Sequence, residues 1–193
     1  MAFRLIKEKN PVNEQHKVSL PLIVVGSGLF TGFLPAAQGT FGSVIGLLVF
    51  LIPGFSDFNV LTISIIVAFT FGVFVSERMR ARYGEDPPQV TIDEIAGLWF
   101  TYFIGFIMFE LFFKAKAFGP TFNFSTKLLF AVVGFFLFRF FDIIKLQPAK
   151  YFDEVKSGYG IMIDDIFSGL YAGILSSVVT HFFWYRVLVK IFP

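Results

Sequence analysis

The feature that most constrains this chain is a succession of apolar runs, at Gly42 to Ile52, Phe58 to Ser76, Ile95 to Phe113, Lys127 to Ile144 and Ile166 to about Phe192. Several are long enough to cross a hydrocarbon core, which takes about 20 apolar residues per helix. Within lipid every backbone N–H and C=O must be satisfied inside the element itself, so such runs are read as helices. The composition agrees: 55% of the 193 residues are hydrophobic, 16% are charged and thirty are phenylalanine. The expected fold is therefore an all-α polytopic membrane bundle with about four to five spanning helices.

The stretch Val18 to Leu34 does not fit that pattern. It is short and interrupted by Pro21, Gly26, Gly28 and Gly32 before Pro35, which predicts an interfacial or re-entrant N-terminal helix. Residues 1–17 form a polar basic segment carrying Arg4, Lys7, Lys9 and Lys17, and no cleaved signal peptide is read there. Residues 18–193 are expected to form a single membrane domain. The polar intervals Glu77 to Asp93, Lys114 to Ser125 and Lys145 to Asp165 are expected to be loops. With this threading the N-terminal segment, the 77–93 interval and the 139–156 region share one face, and they hold eleven of the sixteen Lys and Arg. That face is expected to be cytoplasmic.

Charge and cysteine content exclude several classes. A net charge of +2 that is not gathered into a stripe argues against nucleic acid as a partner. The absence of cysteine removes thiolate nucleophiles, disulfides and iron–sulfur ligation.

Four motifs carry candidate chemistry. Gly26-Ser27-Gly28 and the later run Gly39-Thr40-Phe41-Gly42-Ser43, at the mouth of an apolar helix, offer backbone N–H groups and hydroxyls to an anion. A glycine-rich turn with an N-cap would look the same. Asp93-Glu94 and Asp164-Asp165 each put two adjacent carboxylates before an apolar run, followed by Gly97 and Gly169, which permit close helix approach. One such pair is explained by the helix dipole, worth about 0.3–1 kcal/mol. Two pairs brought together would repel and call for a cation. In the last motif, Arg139, Asp142 and Lys145 recur every three residues in a greasy helix and so share a face. The alternative is a salt-bridged stripe at the membrane edge, with Arg139 and Lys145 snorkelling to the headgroups.

Asp93, Glu94, Asp142, Asp164 and Asp165 are hard oxygen ligands, which favours Mg²⁺, or Mn²⁺, over zinc. Arg139 and Lys145 would hold phosphoryl oxygens. Glu110, His16 and His181 lie outside any such pattern.

These motifs resemble the phosphatidylglycerophosphatase A family. The resemblance runs from about Gly26 to Gly173. It is carried by Gly26-Ser-Gly with Gly39-Thr-Phe-Gly-Ser43, by Asp86-Pro-Pro-Gln-Val-Thr-Ile-Asp-Glu94, by Phe138-Arg-Phe-Phe-Asp-Ile-Ile-Lys145, and by Gly160-Ile-Met-Ile-Asp-Asp165 with Gly169 and Tyr171-Ala-Gly173. It implies an all-α Mg²⁺-dependent lipid phosphatase of the bacterial inner membrane, acting on phosphatidylglycerophosphate. In that enzyme Asp142, Lys145, Arg139 and Asp164 would be catalytic, and Gly39, Thr40, Gly42 and Ser43, with Arg139 and Lys145, would bind substrate. Gln38 stands where the family usually has proline, and Leu146-Gln147 where tryptophan and proline are common.

Two rivals are a divalent-cation transporter and another metal-dependent lipid phosphotransferase. Glu110 as the sole acid deep on the far side gives the first no continuous polar path, and the long aspartate-rich signature of the second is missing.

Overall fold

The computed structural model of the chain describes residues 12–113 and 124–183. Among these residues all regular structure is helical: α1 (Leu20–Gly26), a 3₁₀ turn (Thr31–Phe33), α2 (Gln38–Leu51), α3 (Phe58–Tyr83), α4 (Ile92–Phe113), α5 (Phe124–Ile144), α6 (Ala149–Asp153) and α7 (Gly158–Phe183). The all-α expectation is met. Three of these helices, α3, α4 and α7, are long and apolar enough to cross a bilayer. α5 is comparable, at 21 residues, but carries Lys127, Arg139 and Asp142. α2 has 14 residues, a rise of about 21 Å, which is short for a crossing. α1, with seven residues, is shorter still, in keeping with the broken sequence around it.

Local chemistry sets the helix ends. Asp57 caps α3, accepting from the backbone N–H of Asn59 at 3.0 Å. Arg80 and Arg82 occupy the last turn of α3, and Asp93 and Glu94 the first turn of α4, each matched to the dipole it faces. The helices overrun two of the expected loops. α3 continues to Tyr83, which shortens the first loop. α7 begins at Gly158, so Asp164 and Asp165 sit nearly two turns inside the helix rather than in its first turn. Two caps start it: the Ser157 hydroxyl accepts from the Gly160 backbone N–H at 3.0 Å, and the Glu77 side chain, from the neighbouring helix, accepts from the Gly158 backbone N–H at 2.6 Å. The expected 114–125 loop and the end of the last run fall largely outside the described residues.

α7 packs against α3, α4, α5 and α6. Its most extensive contact is with α4. A Cβ added at Gly169 would lie 2.5 Å from the Gly97 carbonyl oxygen, and one at Gly97 would lie 2.8 Å from that of Asp165. Small residues here let two backbones touch, as the glycine spacing anticipates. Deeper in the bundle an aromatic core of Phe50, Tyr102, Phe106 and Phe130 fills the space between α2, α4 and α5. The Phe50 and Tyr102 rings stand 4.0 Å apart, and the buried Tyr102 hydroxyl donates to Ala131 O at 3.0 Å. The Trp99 indole donates to Gly46 O at 2.9 Å, tying α4 to α2.

The N-terminal glycines act as a brace. Thr91 N–H donates to Gly26 O at 2.9 Å, and the Thr31 and Thr91 hydroxyls are 3.2 Å apart. A Cβ at Gly28, whose φ is +50°, would also meet the Thr91 hydroxyl, at 2.8 Å. This segment thus holds the loop that leads into Asp93 and Glu94.

Gly169→Val should force α4 and α7 apart, destabilising the protein by about 1–3 kcal/mol. Thermal unfolding of the purified protein in detergent should show a lowered Tm; an unchanged Tm would contradict the backbone contact described.

Candidate active site

One end of the bundle is hollow. α2, α4 and α7 begin there, α3 and α5 end there, and the open-mouthed cavity between them is about 850 Å³. The loop after α3, the end of α5, α6 and the start of α7 therefore share one end, as the threading from sequence requires. The segment before α1 lies there too, since Asn13 N–H donates to Arg82 O at 2.8 Å.

Of the residues singled out from sequence, Gly39, Thr40, Asp93, Glu94, Arg139, Asp142, Lys145, Asp164 and Asp165 all line the cavity. Gly42 and Ser43 do not. Gly42 packs against Thr91, and the buried Ser43 hydroxyl lies 2.9 Å from Gly39 O and 3.4 Å from Glu94 Oε2. The Gly26-Ser27-Gly28 run is likewise absent from the lining. Gly39 itself is needed for close approach, because a Cβ there would collide with the Glu94 carboxylate and the Arg139 guanidinium. Gln38, the departure from the usual family pattern, lines the cavity and donates to Leu34 O at 2.7 Å.

Two ion-pair systems occupy the floor. Arg139 pairs with Glu94 and, at 3.2 Å, with Asp142; the Arg139 and Glu94 side chains are 16% and 12% exposed. Lys145, which follows the last residue of α5 with φ +49°, pairs with Asp164 and, at 2.6 Å, with Asp153. Burial works against the Lys145 ammonium, but the carboxylates of Asp164, Asp142, Asp165 and Asp153 outweigh it and raise its pKa above the ordinary lysine value. Lys145 therefore stays charged across the neutral range. Asp153, on α6, was not singled out from sequence, since nothing in its own segment links it to Lys145.

Glu94, Asp142 and Asp165 each present an oxygen within 4.8 Å of the others. Two carboxylates at 4.8 Å repel by about 3.5 kcal/mol at an effective dielectric of 20. Arg139 offsets part of this for Glu94 and Asp142. Among the described residues nine acidic side chains line the cavity with three basic ones, Arg139, Lys145 and Lys156, and no histidine. Such a donor set fits a hard divalent cation. Asp93 and Asp164 line the same cavity but lie outside the group of three, and Asp164 Oδ1 is buried with no hydrogen-bond partner among the described residues.

The fold and this cavity define the class: an α-helical membrane protein with a charged, carboxylate-rich site at one end of its bundle. Residues 24–180 match the profile of phosphatidylglycerophosphatase A, and the chain belongs to that family. It is accordingly a phosphoric monoester hydrolase. Among relatives, a protein of Bacteroides thetaiotaomicron provisionally named a phosphatidylinositol-3-phosphatase is 30% identical, over 81% of this chain and 91% of its own length. The phosphatidylglycerophosphatase A of Haemophilus influenzae is 29% identical, over 90% of this chain and 97% of its own. That of Escherichia coli is 27% identical, over 92% and 94%. No solved structure matches the chain.

Replacing Arg139 by Gln should leave Glu94 and Asp142 facing each other without their cation. Removing one partner of a buried ion pair costs about 3–5 kcal/mol, so Tm should fall. Added Mg²⁺ should restore part of the loss, whereas a variant at the exposed Leu48, on the outer face of α2, should show neither effect.

Proposed function

We propose that this protein hydrolyses the terminal phosphate monoester of phosphatidylglycerophosphate, giving phosphatidylglycerol and inorganic phosphate, at the cytoplasmic face of a bacterial inner membrane. The observation that carries the reading is the convergence, in a chain of this family, of nine carboxylates and three cations on a single cavity at one bundle end. The excess of basic residues near that end supports the cytoplasmic assignment.

Glu94, Asp142 and Asp165 would hold Mg²⁺, for which Mn²⁺ can substitute, with Asp93 and Asp164 beside them. When bound, the ion supplies a Lewis acid that screens the phosphate charge and makes water a better nucleophile. Arg139 and Lys145 orient the phosphoryl oxygens and meet the charge that grows on them in the transition state. Both are held ready by their own carboxylate partners, so little rearrangement accompanies the reaction. Gly39 and Thr40, at the start of α2, line the same space and would offer backbone N–H groups to the phosphate. Water oxygen bonds to phosphorus as the bond to the glycerol oxygen breaks, and the leaving alkoxide takes up a proton. Asp164 takes the proton of the attacking water: Lys145 engages one of its oxygens and the other is unengaged.

The name of the Bacteroides relative points to a second lipid monoester, phosphatidylinositol 3-phosphate, as a comparison substrate. Purified protein should release phosphate from phosphatidylglycerophosphate, lose that activity in EDTA and regain it with Mg²⁺. Glu94→Gln, Asp142→Asn, Asp164→Asn and Asp165→Asn should each lower kcat/KM by about a hundredfold or more, with helical content retained by circular dichroism. Absence of phosphate release from the wild type, or near-normal rates in all four variants, would refute the assignment.

A further inference from the structure

We infer that Lys156 is a specificity-determining residue that recognises a second anionic group on the substrate, the phosphodiester joining the lipid glycerol to the headgroup. The inference rests on the phosphatase reading above and concerns what that site selects.

The three cations of the cavity differ in their engagement. Arg139 and Lys145 each pair with two carboxylates and are largely buried. Lys156 instead pairs with Glu85 alone, and the two side chains are 64% and 62% exposed. That pair links the loop after α3 to the turn before α7 across the cavity mouth. An exposed ion pair of this kind contributes about 0–1 kcal/mol, so an incoming anion can take the lysine at little cost. Among the described residues Lys156 is thus the lining cation that stands outside the buried network, where it adds to Arg139 and Lys145 on the floor.

Size points the same way. A cavity of about 850 Å³ falls in the range of roughly 300–1,000 Å³ that encloses a whole drug-sized ligand, far more than one phosphoryl group. With nine acidic side chains among the described residues of its lining, it repels a headgroup that carries two phosphates except where a cation meets it. A lipid bearing a monoester on a polyol linked through a phosphodiester carries one anion for the floor and one for the mouth. Both lipids after which the relatives are named have that chemistry. A simple lipid phosphate monoester lacks the second group.

The test uses the full-length protein in neutral detergent micelles, with phosphatidylglycerophosphate as substrate and two lipids of matched acyl chains as competitors. Phosphatidylglycerol carries the diester alone, and phosphatidic acid the monoester alone. Lys156→Ala should raise both KM for phosphatidylglycerophosphate and Ki for phosphatidylglycerol about tenfold, leaving kcat and the Ki for phosphatidic acid within about twofold. Lys156→Arg should restore both constants. If Lys156 were only a strut between the two loops, Glu85→Ala would reproduce the Lys156→Ala pattern; under the inference it leaves KM unchanged or lowered. An equal rise in both Ki values, no rise in either, or failure of phosphatidylglycerol to compete with the wild type would overturn it. Absence of phosphate release by the wild type would instead refute the underlying phosphatase reading.

Discussion

The contact between the α4 and α7 backbones at Gly97 and Gly169 is the constraint on which the cavity depends. Glu94 lies one turn before Gly97, and Asp165 one turn before Gly169, so apposing the glycines apposes the acids. Any side chain at either position would enter the opposing backbone. Close packing of this kind is the main route to helix association in lipid, where burial from water gives no net drive between helices. The same contact that lets the bundle cohere therefore also forces like charges together.

The remainder of the site manages that charge. Arg139 reaches from α5 between Glu94 and Asp142, and Lys145 leaves the end of α5 to join Asp164 with Asp153. Burying an ion pair seldom stabilises a fold beyond what apolar packing would achieve, and this network carries more acids than its cations can match. Stability is drawn instead from the aromatic core further along the bundle, where Lys127 sits with its ammonium 4.9 Å from the centre of the Phe50 ring. The division is spatial: packing at one end supports electrostatic imbalance at the other.

Much of this was legible in the chain because the signals are local. Apolar runs identified the long helices, broken spacing identified the short N-terminal elements, and three-residue spacing placed Arg139 and Asp142 on one face. The glycines after the acid pairs marked the interhelical contact. What sequence obscured depends on partners far apart in the chain. The glycines around Gly158 read as loop, yet Glu77 of α3 joins Ser157 in capping a helix there, and Asp164 and Asp165 fall in its interior. Gly26 to Gly28 read as an anion cradle, yet Gly26 packs against Val75 and Met79 of α3 while its carbonyl takes the Thr91 N–H, and Gly28 packs against the Thr91 hydroxyl. Ser43 bonds back to Gly39 one turn earlier in its own helix and lies beside Glu94 of α4, a partner its own segment does not reveal. Asp153 and the Glu85–Lys156 pair had no local signature to read.

The position of α7 in the chain bears on how the protein comes into being. Its two acids and the glycine that seats them arrive after every other described wall of the cavity has been synthesised. A nascent chain halted before that helix would lack Asp164, Asp165 and the surface that closes the hollow. Competence thus arises in a single late step of membrane insertion, and truncated translation products should be inert toward cellular lipids.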